Sequence, residues 1–402
     1  MTDGTWRQSP AHRDWLKKQA KRILDFYDPR AINSGGGFID LDENGQPFGD
    51  VRALHSTTRM VHCFGIAQLL QRPGASDLVD HGMQYIWKKH RDTRYGGYIW
   101  SLGDAGPLDV TKQAYGHAFV LLAAASAKCV DHPLADKLLA DVTDVINHKF
   151  WEPVPGAVSE EYAQDWSPIS TYRGQNSNMH MTEALMAAFE ATGDKDYLHK
   201  AKSIAGHIIR HHAAAHDYSV AEHFRADWTL DRDYKGSDMF RPAGTTPGHW
   251  LEWARLLLQL WALDGKQEAW LPQASARLFK AAVERGWDKD KGGFFYTLDW
   301  NNAPALRQKL WWPATEGIGA AAFLAATTQD PFFDEWYERI WRFCDAHFID
   351  HAKGGWFHEL GDDLKPITCF FNGKPDIYHA LQCCLIPLYP AEASLTRVIP
   401  TV

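Results

Sequence analysis

Stretches that are apolar on nearly every side alternate along this chain with stretches striped by charge. AYGHAFVLLAAASA from Ala114 and EGIGAAAFLAATT from Glu316 read as helices buried all round, whereas DEWYERIWRFCDAHF from Asp334 reads as a helix with one solvated face. Patterns of the first kind begin near His55, Ala114, Asn176, Gly248, Thr315 and Asp376. Those of the second kind begin near Ala75, His132, Gly193, Lys266 and Asp330, commonly after Gly, Pro or Asp, and a helix from about Ala11 to Phe26 supplies the missing partner. The pattern predicts about twelve helices in six pairs, with the buried members as an inner ring and the charged ones as an outer ring.

A Gly-rich, aromatic and acidic phrase precedes the inner helices. It reads GGGFIDLDENGQP from Gly35, GGYIWSLGDAGP from Gly96, GGFFYTLDWNNAP from Gly292 and GGWFHELGDDLKP from Gly354, four copies of one β-hairpin. Degenerate copies, EPVPGAVSEEYAQDWSPI from Glu152 and AEHFRADWTLDRD from Ala221, bring the spacing to roughly 60–70 residues, a period that means an array or a closed toroid. The expected fold is all-α, an (α/α)6 barrel spanning 1–402 as one domain, with short β-hairpins in the long loops of one face. Long connections precede each inner helix and short ones follow it, so the long loops crowd onto one end, where function is expected.

The first turns of the inner helices carry polar groups that a core does not want: Arg59; Tyr115 and His117; Asn176, His180 and Glu183; His249 and Glu252; Glu316 after Trp311 and Trp312; Asp376 and His379. Each has a bland explanation alone. Jointly they do not, because burying several imidazoles, carboxylates and an Arg near one axis is costly unless they serve each other or a ligand. Within RPAGTTPGHWLEWARLLLQLW from Arg241, His249 and Glu252 fall three residues apart on one helix face, a His beside a carboxylate at a loop-to-helix junction.

Composition narrows the partners. A net charge of −8 without a dense Lys/Arg block argues against nucleic acid and anionic membranes. The N-terminal MTDGTWRQSPAHRDWLKKQAKR lacks the apolar stretch of a signal peptide, and no segment approaches a membrane span, so a cytoplasmic location is expected. Cys63, Cys129, Cys344, Cys369, Cys383 and Cys384 show no C-x-x-C pairing and are expected to be reduced core thiols. No metal or cofactor is expected, and the oligomeric state is expected to be monomer or homodimer. The 18 Trp are many for this length, and their flat amphipathic rings suit the C–H faces of a small sugar.

RGQNSNMHMTEAL from Arg173, PGHWLEWARL from Pro247, KLWWPATEGIGA from Lys309 and DIYHAL from Asp376 resemble the active-site segments of the N-acylglucosamine 2-epimerase superfamily of (α/α)6-barrel sugar epimerases and isomerases. The resemblance spans nearly the whole chain and is strongest to the aldose–ketose isomerase branch. It implies acid/base chemistry through a cis-enediol, with His379 as the base at C1/C2 and His249, held by Glu252, as the acid/base partner in ring opening. It further implies that His180, as an imidazolium, and Arg59 face the reacting oxygens. Tyr115, Asn176 and Trp312 would hold hydroxyls and a ring face, with His117, Glu183 and Glu316 as further substrate-binding candidates. D-mannose/D-fructose is the expected pair, with D-lyxose/D-xylulose as an extension. The sulfoquinovose isomerases of this branch differ where this chain has His358 and Pro375, which argues against a sulfonated substrate.

Other readings stay open. The same residues would serve a 2-epimerase, since only the carbon that regains the proton differs. A divalent metal at His180/Glu183 or His249/Glu252, an inverting glycosidase using two of Glu183, Glu252 and Glu316, and a non-catalytic sugar-binding module are the remaining alternatives.

Overall fold

The computed structural model describes residues 5–401. Residues 1–4 and 402 of the expected 1–402 span lie outside the described residues. The inner helices are α2 (Leu54–Leu69), α4 (Ala114–Cys129), α6 (Gln175–Thr192), α8 (Pro247–Leu263), α10 (Trp311–Thr328) and α12 (Tyr378–Leu385). Each packs on the next and α12 returns to α2, so the ring closes. Outside it, α3 (Ala75–Tyr85), α5 (Ala135–Val145), α7 (Lys195–Ala205), α9 (Trp270–Ala281) and α11 (Pro331–His347) each back the inner helix before them, and α1 (Pro10–Tyr27) backs α12. This is the (α/α)6 barrel the pattern predicts. No described helix is long and apolar enough to cross a membrane.

The two rings begin their helices differently. The outer helices α1, α7 and α11 use side-chain caps: the carboxylate of Asp330 accepts from Phe332 N at 3.0 Å, and Ser9 Oγ accepts from His12 N at 3.3 Å. At α2, α4, α6 and α10 no side chain caps the helix, and the first N–H group is taken up by a hairpin. Leu54 N donates to Trp100 O at 2.8 Å, Ala114 N to Glu160 O at 2.8 Å, Gln175 N to Glu222 O at 3.1 Å and Trp311 N to His358 O at 3.2 Å. Short ladders extend these links, as Arg52–Ala53 pairs with Ser101–Leu102 and Lys309–Leu310 with Glu359–Leu360. Each of these four hairpins is therefore stitched to the start of the inner helix one repeat earlier in the chain, and the first hairpin reaches the segment before α12, where Leu41 O accepts from Lys374 N at 2.8 Å. The functional end of the barrel is a continuous rim.

Buried lysines lock three of the hairpins. Lys112 reaches Asp92 at 2.8 Å, Lys309 reaches Asp288 at 3.0 Å and Lys374 reaches Asp350 at 2.6 Å. Each aspartate opens a D-x-x-x-G-G phrase whose second glycine has positive φ and gives its carbonyl to the aspartate N–H. At Gly97 a Cβ would lie 2.9 Å from the His117 imidazole, so the glycine also makes room for that ring.

Two boundaries differ from expectation in ways that matter for the site. α10 begins at Trp311, placing both tryptophans in its first turn, and α12 begins at Tyr378, leaving Asp376 before the helix. There the carboxylate of Asp376 accepts from His379 N at 3.2 Å. Cys63, Cys344, Cys383 and Cys384 are buried as expected of core thiols; Cys129 is half-buried and Cys369 exposed, so those two are not. At the far end of the barrel, residues 386–399 fold across the axis, with Ser394 N donating to Glu190 at 2.9 Å.

Candidate active site

A cavity of about 240 Å³ opens inside the rim. Eight of the eleven expected residues line it: Arg59, Tyr115, Asn176, His180, His249, Glu252, Trp312 and His379. The other three are elsewhere. His117 is a satisfied core residue, its Nδ1 donating to Gln113 O at 2.7 Å while Nε2 accepts from Tyr98 N at 3.0 Å. That bonding leaves it no donor or lone pair for a ligand. Glu183 and Glu316 lie one layer below the cavity, bound to Arg255 and Tyr378 and to Arg255 and His379 respectively. They support the site and do not line it.

Two histidines face the cavity backed by carboxylates. His379 Nδ1 lies 3.0 Å from Glu316 Oε1, and His249 Nδ1 lies 2.9 Å from both oxygens of Glu222. The second pairing corrects the expected one: His249 is oriented by Glu222, not by Glu252. Residues three apart share a helix face, but the His249 ring turns toward the rim, where Gln175 fixes Glu222 at 2.9 Å and Trp253 fixes Gln175 at 2.8 Å. Burial opposes the charge on Glu222, yet His249 holds its carboxyl below the usual range. Burial likewise opposes Glu316, and Arg255 together with His379 holds it low. An ionised carboxylate only accepts, so each Nδ1 carries the proton and each Nε2 is free for substrate.

Glu252 has a different task. Burial, then the neighbouring Glu316, raise its carboxyl well above the usual range, so it is held as an uncharged acid 3.6 Å from His180 Nδ1. His180 is not the imidazolium that was expected. Burial lowers it to about 4 against the partly compensating Glu183, and Arg59 adds to the lowering. The positive charge of the cavity comes instead from Arg59, which bonds Asp376 at 3.2 Å and Tyr115 Oη at 2.8 Å and stacks 4.4 Å from the Phe119 ring. Trp312 packs 4.8 Å from the His249 ring and so covers one wall. Gly248 permits this, because a Cβ there would sit 2.5 Å from the Trp312 ring.

Three groups form a compact donor set: His180, Glu183 and Glu252 each place a ligand atom within 4.8 Å of the others. The sequence offers His180/Glu183 and His249/Glu252 as two separate candidate pairs, and the structure brings Glu252 of α8 beside the pair on α6. Arg255 stands at the same place, 3.4 Å from Glu183 and 3.8 Å from Glu252, so a fixed cation already compensates Glu183 while Glu252 keeps its proton.

Sequence reasoning missed a second ring of site residues. The third position after the Gly pair of each hairpin, or its counterpart in the degenerate copies, is Asp40, Trp100, Glu160, Glu222, Tyr296 and His358. Four of these give the backbone carbonyl that starts an inner helix, which fixes their equivalence. Strand alternation turns these side chains toward the axis, so Asp40 and Tyr296 line the cavity, Trp100 stacks 4.9 Å from His55, and His358 stacks 3.8 Å from Trp311. Aligning the hairpins with one another carries the signal.

The N-acylglucosamine 2-epimerase (GlcNAc 2-epimerase) profile matches residues 36–383. The chain belongs to this family. It is 42% identical to a D-mannose isomerase of Pseudomonas cannabina pv. alisalensis, covering 99% of this chain and 98% of the relative. It is 40% identical to a D-mannose isomerase of Thermobifida fusca, covering 99% of each. A crystal structure of a D-mannose isomerase superposes with a TM-score of 0.89 at 33% identity, over 95% of this chain and 99% of the other. The family member described here is an isomerase.

Proposed function

We propose that this isomerase interconverts D-mannose and D-fructose by proton transfer through a cis-enediol, with D-lyxose/D-xylulose as a second pair. The observation that carries the reading is the pair of carboxylate-backed histidines facing one cavity that also holds Arg59. Its volume of about 240 Å³ lies below the range of about 300–1,000 Å³ typical of drug-sized ligands and suits a single sugar ring. Such a site needs neither oxidant nor reductant, because the reaction moves hydrogens within one molecule.

In the proposed sequence His249 takes the O1 proton at Nε2 and delivers it to the ring oxygen, which opens the ring to the aldehyde. His379 then removes the C2 proton, and the electron pair forms C1=C2 as negative charge collects on O1. Arg59 stabilises that charge, and neutral His180 donates or accepts a hydrogen bond beside it. His180 relays the O2 proton to O1, and return of the proton from His379 to C1 gives the ketose. The site acts without a metal in this reading, Arg59 and Arg255 supplying the positive charge.

A neutral substrate is favoured by what stands at the two positions singled out earlier. Pro375 lines the cavity and has no donor, and His358 is stacked on Trp311, with burial lowering its imidazole to about 3. Neither offers a charge to a sulfonate. The 2-epimerase alternative is separated by an initial-rate product assay of D-mannose in D₂O. Fructose with label at C1, or unlabelled where the base is shielded from solvent, is the expected outcome. Glucose labelled at C2 and appearing before fructose would show that the second histidine delivers the proton.

A further inference from the structure

The six equivalent hairpin positions differ in one respect. Trp100 stacks on His55, Glu160 accepts from Ser177 at 2.7 Å, Glu222 holds His249, Tyr296 donates to Met239 O at 2.7 Å and His358 stacks on Trp311. Asp40 lines the same cavity, and among the described residues no hydrogen bond or ion pair reaches its carboxylate. The only cation on that lining, Arg59, is already paired with Asp376. Burial, then Asp376, push the Asp40 carboxyl up to about 6, so at neutral pH it still presents a negative charge to the cavity. A half-buried carboxylate without a partner is costly unless a ligand supplies donors. A sugar supplies them as hydroxyls, and a group of like charge is repelled at the same wall.

We propose that Asp40 is a specificity-determining residue, whose carboxylate accepts hydroxyl hydrogen bonds from a neutral sugar and excludes sugars that carry a phosphate or other anion at that wall. This rests on the function proposed above, and it adds the recognition group and the charge class of the substrate. A hydrogen bond to a charged group is worth about 1.5–3 kcal/mol, which corresponds to a loss of about ten- to hundredfold in affinity.

The test uses Asp40→Ala and the isosteric Asp40→Asn in the full chain, with thermal unfolding to show that both are folded. Asp40→Ala is expected to raise KM for D-mannose about tenfold or more with a smaller fall in kcat, and to weaken calorimetric binding of D-mannitol, an open-chain analogue, by a similar factor. D-mannose 6-phosphate is expected to inhibit Asp40→Asn better than wild type, raising its affinity relative to mannose about tenfold. A KM and a mannitol affinity within twofold of wild type in folded Asp40→Ala would overturn the recognition role. An unchanged phosphate-to-mannose ratio in Asp40→Asn would overturn the exclusion role. Failure of the proposed function shows itself separately, as a wild-type protein that forms no fructose.

Discussion

The two histidine–glutamate pairs that face the cavity come from different parts of the architecture. His249 on α8 takes its carboxylate from a hairpin of the rim, and among the described residues neutral Gln175 is the other side chain hydrogen-bonded to Glu222. His379 on α12 takes its carboxylate from a neighbouring inner helix, and Glu316 shares its charge with Arg255 at 2.8 Å. The same residue pair is thus set in two surroundings, one carboxylate held by a neutral amide and the other shared with a buried guanidinium.

The largest effects should come from the imidazoles themselves. His379→Asn and His249→Asn are each expected to lower kcat at least about a hundredfold with the fold intact, the scale for losing a general acid or base. Solvent deuterium exchange at C2 should vanish in His379→Asn and persist, slowed, in His249→Asn. Exchange lost equally in both would erase the division of roles. Next come the carboxylates, which should separate activity from stability. Glu222→Gln is expected to lower kcat about ten- to hundredfold, the worth of a charge-assisted orienting bond, with little change in melting temperature. Glu316→Gln leaves Arg255 buried with a lost partner and should also cost about 3 kcal/mol of stability in denaturant titrations. Equal stability losses in the two variants would contradict the difference in their surroundings.

A smaller effect concerns pH. The Glu316 carboxyl is held below its ordinary 4.5, so the stability it contributes is present above that value and is lost as pH falls through the lowered one. The melting-temperature gap between wild type and Glu316→Gln is therefore expected to be full from pH 5 to 8 and to close at lower pH. A gap that persists undiminished down to pH 2 would mean that the pairing is not ionic. The smallest expected effect is that of EDTA, which should leave activity intact because Arg255 already compensates Glu183 and Glu252 keeps its proton. A strict requirement for added Mg²⁺ or Mn²⁺ would move the chemistry to the His180, Glu183 and Glu252 group and displace the account of two histidine pairs.

Periodicity and repetition alone determined the architecture of this protein. Six apolar stretches, six charge-striped partners and a returning Gly-rich phrase admit few arrangements besides a closed double ring, since each inner helix must be covered on every side. They also brought forward eight of the helix residues that line the cavity, because the start of an inner helix is where that helix meets the rim. Arg59, Tyr115, Asn176, His180, His249, Glu252, Trp312 and His379 follow from that position. Pairing between elements was decided only by tertiary structure. Glu252 is three residues from His249, yet it lies 3.6 Å from His180, while Glu222, 27 residues away, holds the imidazole. Charge states followed the same rule: burial, then Glu316 from α10, keeps Glu252 uncharged, although Arg255 one turn along its own helix opposes this. A helix spacing states which groups share a face. Which carboxylate orients a ring, and which one keeps its proton, depends on distances across the barrel and on buried charges contributed by other helices, and these exist only after the ring has closed.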